Sequence, residues 1–238
     1  MAEPENIIAA LSADLTIPQD LKGKNVLITA GPTYEAIDPV RYIGNHSSGK
    51  MGIALAQECA RRGAMVHLIL GPSKLTADNQ DINTIKVTDG EEMYAACKEV
   101  HHTCDISIFA AAVADYRPVD IAQEKIKKSG KTLRLELVKT RDIAAAFGKN
   151  KSNKQIHIGF ALETQNAEKY AKEKLIKKNF DLIVLNSLKD KGAGFKGDTN
   201  KITIFDAEGG KTPFELKSKT LVAADIVNTL VKKYVNPT

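Results

Sequence analysis

The chain has 238 residues, of which 43% are hydrophobic and 26% charged, the balance of a globular protein rather than a disordered one. Its length suits one large α/β domain. No apolar run is long enough to cross a bilayer, and residues 1–20 lack the basic start and apolar centre of a signal peptide. A net charge of +5 is compatible with an anionic small-molecule substrate, whereas only 5% aromatic residues, not interleaved with the lysines, argue against a nucleic-acid stacking platform.

Residues 1–23 read as an N-terminal helix and lead-in, punctuated by Pro18 and Gly23. Residues 25–30 (NVLITA) predict a short buried strand ending at the Gly31-Pro32-Thr33 turn. Ile53, Leu55, Ala56, Cys59 and Ala60 give residues 50–62 a helical apolar pattern, with Gly63 as the stop. A second strand is expected over 64–70, closed by Gly71-Pro72, and a third over 83–87. A helix over 91–102 then leads to a fourth strand over 104–113. Strands alternating with helices imply parallel pairing and right-handed crossovers, hence a Rossmann-like α/β sheet flanked by helices.

The second half predicts a mixed or antiparallel portion. Residues 132–138 (TLRLELV) alternate apolar and polar, as a strand with one wet face does. Strands are expected over 155–161 and 181–186, with a basic helix over 166–178 between them. Residues 201–205 and 213–216 suit a hairpin about Glu208-Gly209-Gly210, and a helix over 223–234 closes the chain. No repeat or linker interrupts this pattern, so 24–238 reads as a single domain behind the lead-in. Cys59, Cys97 and Cys104 are too scattered for a disulfide framework or a metal clip and read as buried thiols in a reducing cytoplasm.

Four stretches have the composition to do chemistry. The first runs from Gly31 to Gly52 (GPTYEAIDPVRYIGNHSSGKMG), joining the first strand to the first long helix, where free backbone N–H groups and a helix dipole favour anions. Asn45, Ser47, Ser48 and Gly49 offer an amide, two hydroxyls and a close backbone approach; alternatively, a serine here is only an N-cap and Gly49 a turn. Gly44–Met51 nearly matches a P-loop, but Met51 stands where a magnesium-binding Ser or Thr is needed. The glycine fingerprint of dinucleotide folds is also missing after the first strand. The second stretch is Ala110–Arg117 (AAAVADYR). Its alanines let a flat ligand lie against the backbone and Asp115 can accept from a ribose or base, unless Asp115 merely caps a packed strand end. The third is Glu124–Lys131 (EKIKKSGK), either a solvated charge run or a flap carrying Lys125 to a polyphosphate. The fourth places Lys174 and Lys178 on one helix face, toward phosphates or toward solvent.

Together and in this order, Gly31-Pro32-Thr33, Asp38-Pro39-Val40-Arg41, Asn45–Gly52 (NHSSGKMG), Ala111–Arg117 (AAVADYR) and Lys125-Ile126-Lys127-Lys128 resemble the bacterial phosphopantothenoylcysteine synthetases. The resemblance extends from about Lys24 to the C-terminus. It implies a cytoplasmic, homodimeric ligase in which the carboxylate of 4′-phosphopantothenate attacks the α-phosphorus of CTP and the amine of L-cysteine then displaces CMP. It further implies Mg2+ carried by the nucleotide rather than by a protein site, no flavin, and neither nucleic-acid nor membrane partners. By position, Asn45 would orient the acyl intermediate, and Gly31, Arg41, Ser47, Gly49 and Gly52 would serve phosphopantothenate. Lys125 would act on the triphosphate from a flap with Lys127 and Lys128. Phe109, Ala110, Ala111, Asp115, Asp142, Ile143, Phe160, Lys174 and Lys178 would hold the nucleotide.

Two departures stand out. Many bacterial members follow a flavin-dependent decarboxylase domain, whereas only a short acidic lead-in precedes this ligase-like stretch, implying a stand-alone enzyme or an excised domain. Arg141 also stands where relatives often carry Pro before Asp-Ile. The rival reading is a short-chain NAD(P)-dependent oxidoreductase, whose Tyr-x-x-x-Lys pair occurs as Tyr94–Lys98 and Tyr170–Lys174.

Overall fold

The computed structural model describes residues 17–128, 130–163, 165–187 and 197–236. Most of the helix expected over 1–23 falls outside that set; residues 20–23 form a turn pinned by the fully buried Leu21.

The chain begins its sheet with β1 (Asn25–Ala30), in which Val26, Leu27 and Ile28 are wholly buried. Burial on both faces is the fate of a continuous apolar run between parallel neighbours. A short hairpin follows, β2 (Tyr34–Ala36) and β3 (Tyr42–Gly44), with Tyr34 stacked on Tyr42 at 3.8 Å between ring centroids. Helix α1 (Lys50–Arg61), β4 (Met65–Leu70), β5 (Ile82–Lys86), α2 (Gly90–Val100) and β6 (Ile106–Phe109) continue the alternation. The carboxylate of Asp89 caps α2 by accepting from the Glu92 amide at 2.8 Å.

A second small ribbon pairs β7 (Tyr116–Pro118) with β8 (Leu137–Lys139). Helix α3 (Ile143–Lys149), β9 (Ile156–Glu163), α4 (Ala167–Lys177) and β10 (Leu182–Ser187) extend the main sheet. The chain ends with β11 (Thr199–Asn200), β12 (Ile202–Asp206), β13 (Lys211–Pro213), β14 (Lys217–Ser218), α5 (Lys219–Leu230) and a π-helical turn over Val231–Val235.

Among the described residues the main sheet has eight strands in the order β13-β12-β10-β9-β6-β1-β4-β5. The six from β5 to β10 are parallel, while β12 and β13 are antiparallel. The Rossmann-like expectation and its antiparallel C-terminal portion are both borne out. One face buries Ile53 and Leu55 of α1 and Val222 and Ile226 of α5 against Val26, Ile28 and Leu68. The other buries Met93 of α2, Phe147 of α3 and Leu175 of α4 against Leu27, Ile69 and Ile183. Each such fully buried side chain contributes on the order of 1.5–3 kcal/mol. A buried ion pair crosses the first layer: Arg62 meets Glu58 at 2.8 Å and Asp20 at 3.2 Å and bonds Asn228 of α5.

The strand expected over 132–138 is a correction. Only Leu137 onward pairs, and it pairs with β7 outside the main sheet. Leu133, Leu135 and Leu137 alternate as predicted, yet they stand 54%, 39% and 43% exposed. The final helix starts at Lys219 rather than 223, because Ser218 accepts from the Leu221 amide at 3.3 Å and caps it. The expected hairpin forms with its second strand at Lys211–Pro213.

Candidate active site

Strand order reverses between β1 and β6, since β1 leads outward to β4 while β6 leads to β9. In a doubly wound sheet this reversal opens a crevice at the carboxyl ends of the strands. A cleft of about 780 Å3 lies there, lined by Thr29 of β1, Phe109 of β6 and the loops that follow each strand.

Asn45, Ser47, Ser48, Gly49, Lys50, Met51 and Gly52 line one wall. Gly49 turns the chain into α1 at φ +81°, and no side chain caps the helix, so neither serine is its N-cap. The first-turn N–H groups of α1 lack intrahelical acceptors and present partial positive charge to the cleft. Gly52 is there for contact: a Cβ would sit 2.4 Å from Ala30 Cβ, so only hydrogen lets α1 lie this close to β1. Ser47 Oγ accepts from the Gly49 amide at 3.4 Å, and Ser73 Oγ holds the Ser48 carbonyl at 2.9 Å. Asn45 Nδ2 spans to the opposite wall, donating to the carbonyls of Ala112 at 2.9 Å and Val113 at 3.2 Å.

That opposite wall is the small-residue run after β6. Ala110 N–H donates to Thr29 O at 3.1 Å, and Ala112 N–H donates to Gly31 O at 2.8 Å. These bonds flatten Ala110–Ala112 against β1. Asp115, exposed, and Phe160 complete this part of the lining. Further round, Asp142 caps α3 by accepting from the Ala145 amide at 3.0 Å and meets Lys178 Nζ at 3.0 Å. Lys174 Nζ meets Glu163 at 2.6 Å.

Seven cationic side chains line the cleft, Lys50, Lys139, Arg141, Lys174, Lys177, Lys178 and Lys219, against the carboxylates of Asp115 and Asp142. This excess of positive charge suits an anion, with polar side chains along one edge. Among the described residues no group of three or more His, Cys, Asp or Glu is positioned to hold a metal ion.

The structure therefore gathers Asn45, Ser47, Gly49, Gly52, Phe109, Ala110, Ala111, Asp115, Asp142, Ile143, Phe160, Lys174 and Lys178 around one cleft. Gly31 is buried just behind it, its Cα 3.4 Å from where a Gly49 Cβ would lie. Arg41, Lys125, Lys127 and Lys128 are not among the lining residues. Arg41 instead bonds Asp38 and the Ile126 carbonyl, and the three lysines are exposed. The oxidoreductase reading gains no support, because neither Tyr94 nor Tyr170 lines the cleft. Tyr94 packs on Phe147 at 5.4 Å and under the Arg141 guanidinium at 4.2 Å.

The polar lining residues Lys139, Thr140, Lys177, Asn186, Asn200 and Lys219 escaped the sequence reading. Lys219 is only 7% exposed. Burial, then the nearby Lys50, push its pKa down. Its signal in the sequence is Ser218, a good N-cap immediately before it. Asn186 was legible as the polar end of an otherwise apolar strand.

A doubly wound sheet with an uncapped helix start and a basic cleft at its switch point defines an α/β protein whose cleft is suited to anions. More particularly, the chain belongs to the family described as the DNA/pantothenate metabolism flavoprotein C-terminal domain, whose model matches residues 21–234. It is 49% identical over 235 residues to a cysteine/cysteine sulfinic acid decarboxylase from an unknown prokaryotic organism, covering 97% of this chain and 66% of that protein. It is 48% identical over 234 residues to the coenzyme A biosynthesis bifunctional protein CoaBC of Haemophilus influenzae, covering 98% of this chain and 58% of that one. The chain thus spans two thirds or less of these relatives. The crystal structure of the C-terminal domain of a coenzyme A biosynthesis bifunctional protein CoaBC superposes with a TM-score of 0.77 at 38% identity, covering 90% of this chain and 97% of that one.

Proposed function

We propose that this chain ligates 4′-phosphopantothenate to L-cysteine with CTP as co-substrate. The observation that carries the reading is one cleft that brings together an uncapped helix start, Asn45, Lys174 and Lys178. Identity to a bifunctional coenzyme A biosynthesis protein along nearly the whole chain supports it.

In the first step a carboxylate oxygen of phosphopantothenate forms a bond to the α-phosphorus of CTP, and pyrophosphate leaves with the electrons of the broken P–O bond. In the second, the cysteine amine attacks the acyl carbon, the C–O bond breaks, CMP departs and the amine loses a proton. Both steps need charge held in place more than a covalent group on the protein. The N–H groups at Gly49–Gly52, with Gly31 and Ser47 supporting the loop, receive the anionic substrate. Asn45, fixed by its bonds to Ala112 and Val113, keeps its side-chain oxygen available to orient the acyl intermediate. Phe109, Ala110, Ala111, Asp115, Ile143 and Phe160 seat the base and ribose. Lys174 and Lys178 exchange Glu163 and Asp142 for phosphate oxygens. Lys125, with Lys127 and Lys128, acts as a lid over the phosphates, and Arg41 contributes to phosphopantothenate binding. Mg2+ would be carried by the nucleotide phosphates rather than by protein side chains, and would supply charge neutralisation there.

The chain acts as a homodimer in this reading. Val40, Tyr42, Tyr116, Ile121, Leu133 and Leu137 are 43–60% exposed along the two small ribbons, an apolar surface suited to a second copy. Residues 24–238 act as one domain, and the three buried free thiols fit a cytoplasmic setting. No helix among the described residues is long and apolar enough to cross a membrane.

Pyrophosphate release, measured with CTP or ATP and with or without each other substrate, tests the proposal. Release that requires phosphopantothenate and is faster with CTP supports it. Failure to release pyrophosphate with either nucleotide contradicts it.

A further inference from the structure

Asp38 sits in the turn between β2 and β3, its side chain wholly shielded from solvent. Oδ1 accepts from the amides of Val40 at 2.9 Å and Arg41 at 2.8 Å. Oδ2 accepts from Arg41 Nε at 3.0 Å, from Arg41 Nη2, and from the amide of Ile126 at 3.1 Å. Arg41 Nη2 also donates to the Ile126 carbonyl at 3.0 Å, so one ion pair grips both backbone polar groups of a residue 88 positions away from the carboxylate. A further tie, Ala122 N–H to Ile37 O at 3.1 Å, lies four residues earlier.

Ile126 is the residue after Lys125. We propose that Asp38, with Arg41 as its partner, is a positioning residue for Lys125, fixing the backbone at Ile126 and so the place from which the lysine acts. This rests on the reading of Lys125 as the lid lysine. A planar guanidinium and a carboxylate suit the task because together they offer one acceptor and one donor to the same peptide unit in a fixed geometry. The Arg41 guanidinium holds the Asp38 carboxyl well below the usual carboxylate range, so the grip persists across ordinary pH. Lys125 itself is exposed, and beyond Ile126 the lysines at 127 and 128 are exposed too, so this pair is what anchors the base of the basic segment.

Asp38→Asn puts an amide in place of one acceptor oxygen and leaves Arg41 short of its charge partner. In the full chain, hydrogen exchange at the Ile126 amide should rise at least about tenfold in D38N while the β1 amides keep their protection. Pyrophosphate release at saturating CTP should fall about tenfold to a hundredfold, as misplacement of a reacting group does. Adding K125Q to D38N should cost less than about twofold beyond K125Q alone, because the two substitutions remove one function. Unchanged exchange at Ile126, or losses that multiply in the double variant, would overturn the proposal. K125Q releasing pyrophosphate at the wild-type rate overturns the lid reading and this role with it. That failure is told apart from a failure of the clamp by the Ile126 exchange, which still rises in D38N. Should D38N not fold, Arg41→Lys carries the same tests: it keeps the charge but cannot span Asp38 and the Ile126 carbonyl together.

Discussion

Asn45 Nδ2 lies 2.9 Å from the carbonyl oxygen of Ala112, so a single side-chain amide joins the loop before α1 to the strand end after β6 across the mouth of the cleft. Its second contact, to Val113 O at 3.2 Å, fixes which way the amide faces. Asn45→Asp replaces that donor with a carboxylate set against two carbonyls. Formation of the activated acyl species should persist, while amide formation slows about a hundredfold, on the scale of losing one oriented polar group in the transition state. Rapid quench with separate quantification of pyrophosphate and amide checks this, and equal loss in both refutes it.

Lys178 is paired with Asp142 and is less than a quarter exposed. Lys178→Gln should raise the KM for CTP about tenfold while moving kcat less, because a charged hydrogen bond to phosphate is lost in ground and transition states alike. Stability should hardly change, since Asp142 remains as the α3 cap. Steady-state kinetics at fixed ionic strength read the split; a fall in kcat with KM unmoved would reassign the lysine to the chemical step.

Much of this architecture was legible in the chain. Strands β1 and β4 announce themselves as apolar runs bounded by glycine, and the Asn45–Gly52 loop and the Ala110–Asp115 strand end fall where such a sheet binds ligands. What failed was local. The hairpin of β2 and β3 was missed because three-residue strands are too short to show a period. The alternation at Leu133, Leu135 and Leu137 is real, but it describes a face this chain leaves exposed rather than one packed on the sheet. Lys219 was missed because a lysine opening a helix ordinarily points to water, whereas here it is buried in the cleft wall. Nor does any sequence spacing reveal that Lys174 finds Glu163 or that Arg41 turns toward Ile126.

His157 on β9 is fully buried, with its Nε2 3.0 Å from that of His101. Burial first, then His101 and Lys151, push its pKa down to about 3. Its folded pKa lies below the unfolded value near 6.5, so the unfolded chain binds the extra proton between those limits. Stability should therefore be full above about pH 6.5 and fall as pH drops toward 3, with a slope of about 1.4 kcal/mol per pH unit from this residue. Denaturant melts from pH 7 to 4 measure that slope, and His157→Gln should flatten it; an unchanged slope would rule His157 out as its source.

Glu58 and Arg62 are 6% and 4% exposed and tie α1 to the Asp20 turn and to α5. Glu58→Ala leaves Arg62 buried without its nearest carboxylate and should cost about 3 kcal/mol, the scale of breaking a buried pair from one side. Activity per folded molecule should not change, because neither residue lines the cleft. A loss below about 0.5 kcal/mol in chemical denaturation, the scale of an ordinary surface change, would show that solvent reaches the pair.

The fate of one oxygen atom decides whether a carboxylate is activated in this cleft. Phosphopantothenate labelled with 18O in its carboxylate, turned over with CTP and cysteine, should deliver one labelled oxygen to the phosphate of CMP for each amide formed, as read by mass spectrometry. Label appearing in pyrophosphate or orthophosphate, or amide formed with unlabelled CMP, would contradict an acyl-cytidylate and with it the roles assigned to the two walls.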